Sequence, residues 1–98
     1  MKKILVVCTG GLGTSLILKL EIKKFFLDHS IAVSVEQSDA TAAGFFSADV
    51  IIGAKQIIDT FQRRPSITYI PLTLIADRKH IREQLSNNPL IQEWMNES

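Results

Sequence analysis

At 98 residues the chain is one domain's worth and holds one core, since single domains cluster around ~100–150 residues. A hydrophobic fraction of 46% with 21% charged residues excludes a disordered chain, and a net charge of +1 leaves no global field to recruit nucleic acid or anionic lipid. The lone cysteine, Cys8, excludes a disulfide-stapled secreted scaffold, and apolar runs such as Ile4 to Val7 fall far short of the ~20 residues that a membrane span requires.

Lys2 and Lys3 precede an apolar run, but Gly10, Gly11 and Gly13 break it at once, so it does not read as a leader and a cytosolic domain is expected. Lys3 to Val7 is apolar on both faces, as a central parallel strand should be. A glycine-rich turn from Cys8 to Gly13 follows, and Thr14 or Ser15 opens a helix that runs to Asp28 without Gly or Pro. Ile31 to Glu36 alternates as a second strand. Residues 38–48 are polar or small, with a short helical turn expected around 42–46, and Asp49 to Gly53 is a third, β-branched strand. Lys55 to Phe61 reads as a short helix, Ile67 to Leu72 as a fourth strand, and Asp77 as the N-cap of a helix through Leu85. Asn88-Pro89 then starts a last helix, with proline at its first position and Leu90, Ile91, Trp94 and Met95 inward. Strands alternating with helices predict a single α/β domain over residues 1–98. Its sheet is open, four-stranded, parallel and Rossmann-like, in order 2-1-3-4 with helices on both faces.

Chemistry concentrates in Cys8-Thr9-Gly10-Gly11-Leu12-Gly13-Thr14-Ser15, between the first strand and the first long helix. Ligands of open α/β sheets bind outside the carboxyl ends of the strands, where this loop belongs. Glycines let successive backbone N–H groups turn toward one point, and the helix adds its positive end and unpaired donors. Thr9, Thr14 and Ser15 add hydroxyls. A thiol at such a cradle is biased toward thiolate, which suits accepting and holding a phosphoryl group.

Other phosphate loops fit less well. A Walker A loop needs Lys-Ser/Thr after its last glycine, whereas Thr14-Ser15 follows Gly13. In a dinucleotide fingerprint Leu16 would stand where the third glycine belongs. A cysteine phosphatase or arsenate reductase loop needs arginine six residues after the cysteine to grip phosphate bidentately, and Thr14 is there instead. With no arginine in the loop, a phosphoryl group would be held loosely enough to pass on.

Cys-x-x-Gly-x-Gly-Thr-Ser at the end of a first strand resembles the phosphocysteine loop of the IIB components of the bacterial phosphoenolpyruvate-dependent sugar phosphotransferase system. It is most similar to the ascorbate/galactitol type; the lactose/cellobiose type usually has serine where Gly13 stands. The segments Leu16–Phe26, Ala48–Ile52 and Ile81–Leu85 also fall where that group has similar stretches, although only the loop is specific. The resemblance implies that Cys8 is the phosphorylated residue and that Gly11, Gly13, Thr14 and Ser15 cradle the phosphate. It also implies a relay in which a IIA phosphohistidine donates to Cys8, and Cys8 delivers to a sugar, sugar acid or polyol held by a membrane-embedded IIC partner. No cofactor, metal or nucleic acid enters such a relay. Two alternatives stay open: a small cysteine phosphatase or arsenate reductase, and a module that binds a phosphate-bearing ligand without turnover. Met1 and a complete final helix favour a free subunit over a piece of a fused transporter.

Elsewhere, Lys55, Arg78 and Lys79 belong at the same sheet edge as Cys8, either as solvated helix-start charges or as a positive rim steering a partner; the first is preferred. Arg63-Arg64 belongs at the opposite edge, as a solvated turn. His29 and His80 have no cysteine or second histidine at ligand spacing and read as surface residues. On the first helix, Leu18, Ile22, Phe25 and Phe26 form the stripe that a sheet requires. Leu16, Leu20 and Leu27 form a second stripe, expected to pack under the last helix with Trp94 or else to dock a IIA or IIC partner. Phe45-Phe46 reads as either core or contact residues.

Overall fold

The computed structural model describes residues 2–7, 12–38, 47–61 and 64–97, with only the backbone of residues 12–15. The elements, in chain order, are β1 (Lys2–Val7), α1 (Leu12–Asp28), β2 (Val33–Ser38), β3 (Val50–Ala54), α2 (Lys55–Ile58), β4 (Thr68–Leu72), α3 (Arg78–Asn87) and α4 (Pro89–Glu97). All neighbouring strands pair in parallel in the order β2-β1-β3-β4, the topology expected from the alternating pattern.

Two-residue alternation along β1 divides the core between the two faces of the sheet. Ile4 and Val6 join Val35, Val50, Ile52, Ile70 and Leu72 beneath α1, α3 and α4. Leu5 and Val7 join Ile51, Ile57 and Ile58 on the thinner opposite face, which α2 closes. Burial on both faces is why β1 and β3 read as unbroken apolar runs. Beneath α1, Phe25 meets Phe26 edge-on at 5.2 Å between centroids, and Phe26 lies 6.0 Å from Trp94. The inward stripe of Leu18, Ile22, Phe25 and Phe26 is buried throughout.

Helix ends follow side-chain chemistry. Asp77 Oδ1 accepts from the His80 N–H at 2.9 Å, making Asp77 the N-cap of α3 as expected. Asn88 Oδ1 accepts from Leu90 N–H at 3.0 Å and Ile91 N–H at 3.3 Å, with Pro89 at the first position of α4. At the end of α1, Ile31 N–H reaches Phe26 O at 2.9 Å and Ser30 N–H reaches Leu27 O at 3.0 Å. This is a Schellman closure, and it puts Ser30 at φ 57°, the left-handed conformation that glycine ordinarily supplies.

Several boundaries differ from the sequence reading, three of them for a clear local reason. The second strand runs over Val33–Ser38 rather than from Ile31, because the Schellman turn uses Ile31 to close α1. The helix after β3 stops at Ile58, since Thr60 and Phe61 N–H groups bond back three residues, to Ile57 and Ile58, in a tighter turn. α1 begins at Leu12, before Thr14 and Ser15, which therefore lie inside its first turn rather than capping it. The first turn has no intrahelical N–H bonds to lose, so Gly13 is tolerated there.

Candidate functional site

Registered pairing puts the carboxyl ends of the strands level: Val7 opposite Ser38 on one side and Gly53 on the other, and Gly53 opposite Pro71. The chain leaves β1 toward β2 through α1, then returns past β1 to form β3. The topological switch therefore lies between β1 and β3, the crevice where ligands of open α/β sheets bind. Cys8 is the next residue after Val7. Cys8, Thr9, Gly10 and Gly11 lie outside the described residues, as do the polar segment 39–46 with Phe45-Phe46 and Arg63.

From Leu12 the chain is α1, and Leu12, Gly13 and Thr14 are its first helical residues. Their N–H groups have no carbonyl four residues back within the helix, so this end offers three backbone donors and the positive pole of a 17-residue helix. The glycine-rich segment thus links the carboxyl end of an inner strand to a helix N-terminus, a frame suited to an anion.

Gly53, which the sequence offered only as a strand residue, matters to this frame. A Cβ there would fall against the Val7 carbonyl oxygen and 2.6 Å from Val7 Cγ2. The two strand ends approach so closely only because residue 53 has no side chain. A glycine directly before the Ala54-Lys55 strand end was the available signal, but nothing in the sequence alone paired it with Val7.

The rim around the site is part pinned and part charged. Lys55 Nζ lies 2.6 Å from Asp59 Oδ2 in an exposed i,i+4 pair, so that lysine is committed within its own turn. Arg78, 77% exposed, has its Nε 4.0 Å from Glu21 Oε2, and Lys79 is exposed. His80 does more than sit at the surface: the Thr73 backbone N–H donates to its Nε2 at 3.2 Å, tying the β4–α3 loop to the start of α3. At the far end of α1, His29 packs against Phe25, with ring centroids 4.5 Å apart. A cavity of about 280 Å³ at this edge is lined by Ala54, Gln56, Ile57, Leu72, Thr73 and Ile75. Among the described residues no cluster of three His, Cys, Asp or Glu side chains could hold a metal, and no helix is long and apolar enough to cross a membrane.

A family profile described as "PTS system, Lactose/Cellobiose specific IIB subunit" matches residues 3–87, nearly the whole chain. The chain belongs to the IIB family of the sugar phosphotransferase system. No curated protein matches it significantly. As a phosphotransferase-system IIB domain it serves as a phosphocarrier in sugar transport, alongside IIA and IIC partners. The profile carries the lactose/cellobiose description, so membership extends to the IIB family and not to the ascorbate/galactitol type that the loop resembles. The family match spans β1, the glycine loop, all four strands and α3, ending where α3 does.

The second stripe of α1 does not pack under α4. Leu16, Leu20 and Leu27 are exposed. Trp94 instead meets Phe26, and Lys2 Nζ lies 5.5 Å from its ring centroid. α3 occupies the flank of α1 instead, held by Arg82: its Nε donates to Glu21 Oε1 at 2.7 Å and its Nη2 to Asp28 Oδ2 at 3.2 Å.

Proposed function

We propose that Cys8 is the phosphoryl acceptor of this IIB domain. Its thiolate attacks the phosphorus of a IIA phosphohistidine; the P–N bond breaks, a P–S bond forms and the imidazole leaves. A hydroxyl of the sugar held by IIC then attacks the same phosphorus, losing its proton as the P–O bond forms, and the thiolate is released. Phosphoryl transfer asks chiefly for positioning and charge stabilisation, and the loop supplies donors without any acid–base side chain. Thr9, Gly10, Gly11, Leu12, Gly13, Thr14 and Ser15 form the cradle, through backbone N–H groups and the three hydroxyls. The absence of arginine from the loop keeps the group transferable rather than trapped.

One observation carries this reading. The only cysteine in the chain directly follows the inner strand at the topological switch, with three residues between it and the first residue of a helix. The domain works on the cytoplasmic side, meeting the membrane through IIC. Glycine at position 13 supports the ascorbate/galactitol type, with a sugar acid or polyol as final acceptor. Incubation with phosphoenolpyruvate, the general phosphotransferase proteins and a panel of IIA proteins tests both levels. Fast phosphorylation by an ascorbate- or galactitol-type IIA, with slow transfer from a lactose-type IIA, is expected. The reverse order would move the chain to the lactose/cellobiose branch, and release of phosphate from an aryl phosphate would replace the carrier by a phosphatase.

A further inference from the structure

The outer face of α1 is unusually apolar for a helix whose inner face already covers a sheet. Leu16, Leu20 and Leu27 project within about 40° of one another around the axis, on a line about 16 Å long. All three are more than half exposed, and Ile17 beside them is 44% exposed. Lysines border this line on both sides: Lys19 and Lys23 along one edge, Lys24 along the other. The two acidic residues of the helix are turned away to α3, where Glu21 and Asp28 both hold Arg82. The outward surface of α1 therefore combines leucines and lysines, and its exposed carboxylate, Asp28, is paired with Arg82 on the flank toward α3.

Two features decide what such a face fits. Lysines flanking an apolar line can lay their stems beside the leucines and lift their ammonium groups to a plane of anions, the arrangement of a helix lying in a membrane interface. The most exposed leucine is also the one farthest from the site: Leu27, 76% exposed, lies in the last turn of α1, four turns from the Cys8 loop. A protein addressed to the loop would account for Leu16 and Ile17 but not for Leu27. We propose that the outer face of α1 is a peripheral contact for an anionic bilayer surface, laying the helix along the membrane. The net charge of +1 does not oppose this, because the attraction is local to one helix and decays within a Debye length of about 8 Å. The inference goes beyond the phosphoryl relay and does not depend on Cys8.

Co-sedimentation of the full chain with vesicles of phosphatidylcholine containing phosphatidylglycerol, against phosphatidylcholine alone, tests it at low ionic strength. Partition into the anionic vesicles alone, reversed by high salt, is expected. Replacing Lys19, Lys23 and Lys24 with Gln should lower the partition coefficient on the order of 100-fold, at about 1 kcal/mol per lysine near such a surface. Leu20→Ser with Leu27→Ser should lower it as well while thermal stability holds, since both side chains are exposed. Cys8→Ser should bind as the parent does, which separates this proposal from the relay. Absence of binding to anionic vesicles would overturn it. So would leucine variants that leave vesicle binding unchanged but raise the KM for a phosphorylated IIA protein, an outcome that assigns the face to a protein partner.

Discussion

Gly53 and Val7 show how little room the sheet leaves at the carboxyl end of β1. Any side chain at position 53 must push the final residue of β1 aside, and Val7 is the residue on which Cys8 is hung. Gly53→Ala is expected to cost about 1–3 kcal/mol, as overpacking does. Because the shift is handed directly to Cys8, phosphorylation should slow by about tenfold or more, on the scale at which displacements of about 1 Å act. Chemical denaturation and the rate of phosphoryl acceptance check the two effects; an unchanged rate in a destabilised variant would mean that the β1 end does not set the position of Cys8. Ser30 offers the opposite case. It holds φ 57° at the Schellman turn of α1, so Ser30→Gly relieves a strain of about 1 kcal/mol and should raise the melting temperature by about 4–8 °C. A lowered melting temperature would contradict that reading.

At the scale of elements, Arg82 joins α1 and α3. Glu21 is nearly buried, and its carboxylate accepts a hydrogen bond from the Arg82 Nε–H at 2.7 Å. The hydrogen bond that Arg82 donates to Glu21 is the largest of the effects that raise the Arg82 guanidinium above its ordinary value, with Asp28 adding to it against desolvation. The sign follows directly: a cation whose pKa is raised by folding contributes fully below its unfolded pKa and is lost only above it. The arginine side of this link is therefore constant across the working pH range. Arg82→Ala should cost about 2 kcal/mol, between the values for exposed and buried pairs, because it leaves Glu21 without its close donor. Adding Glu21→Gln should recover part of that loss in a double-mutant cycle; strictly additive losses would contradict the link.

Elements were legible wherever local chemistry and burial agreed. Ile4–Val7 and Val50–Ile52, apolar on both faces, could only be inner strands of a parallel sheet, and Asp77 and Asn88-Pro89 marked two helix starts. Boundaries failed where backbone closure overrode side-chain pattern. Ile31 is apolar and β-branched, yet it is spent on the Schellman turn, and α1 starts ahead of the hydroxyl residues that seemed to cap it. The outer stripe of α1 was visible on a helical wheel, but its exposure was not. Whether Leu20 meets Trp94 depends on where α4 docks, and α4 lies beside Phe26 and Lys2.

The molecule as a whole ends its inner strand one residue before its single cysteine and carries a lysine-bordered apolar face along the helix that follows. A carrier between a phosphorylated donor and a membrane-bound acceptor has a use for both. The candidate loop stands out in the sequence because cysteine, glycines and hydroxyls sit within eight consecutive residues. The switch between β1 and β3, and the contact of Gly53 with Val7, required the strands to be paired. The family match over residues 3–87 places the chain among the phosphotransferase IIB domains, and the identity of its phosphorylated atom is the central claim. Intact mass of the protein after incubation with phosphoenolpyruvate, the general phosphotransferase proteins and a IIA donor, beside Cys8→Ser, tests that claim most directly. A single phosphate adduct on the parent chain that is absent from Cys8→Ser is predicted. An adduct that persists in Cys8→Ser would contradict the account, moving the phosphoryl group to another residue.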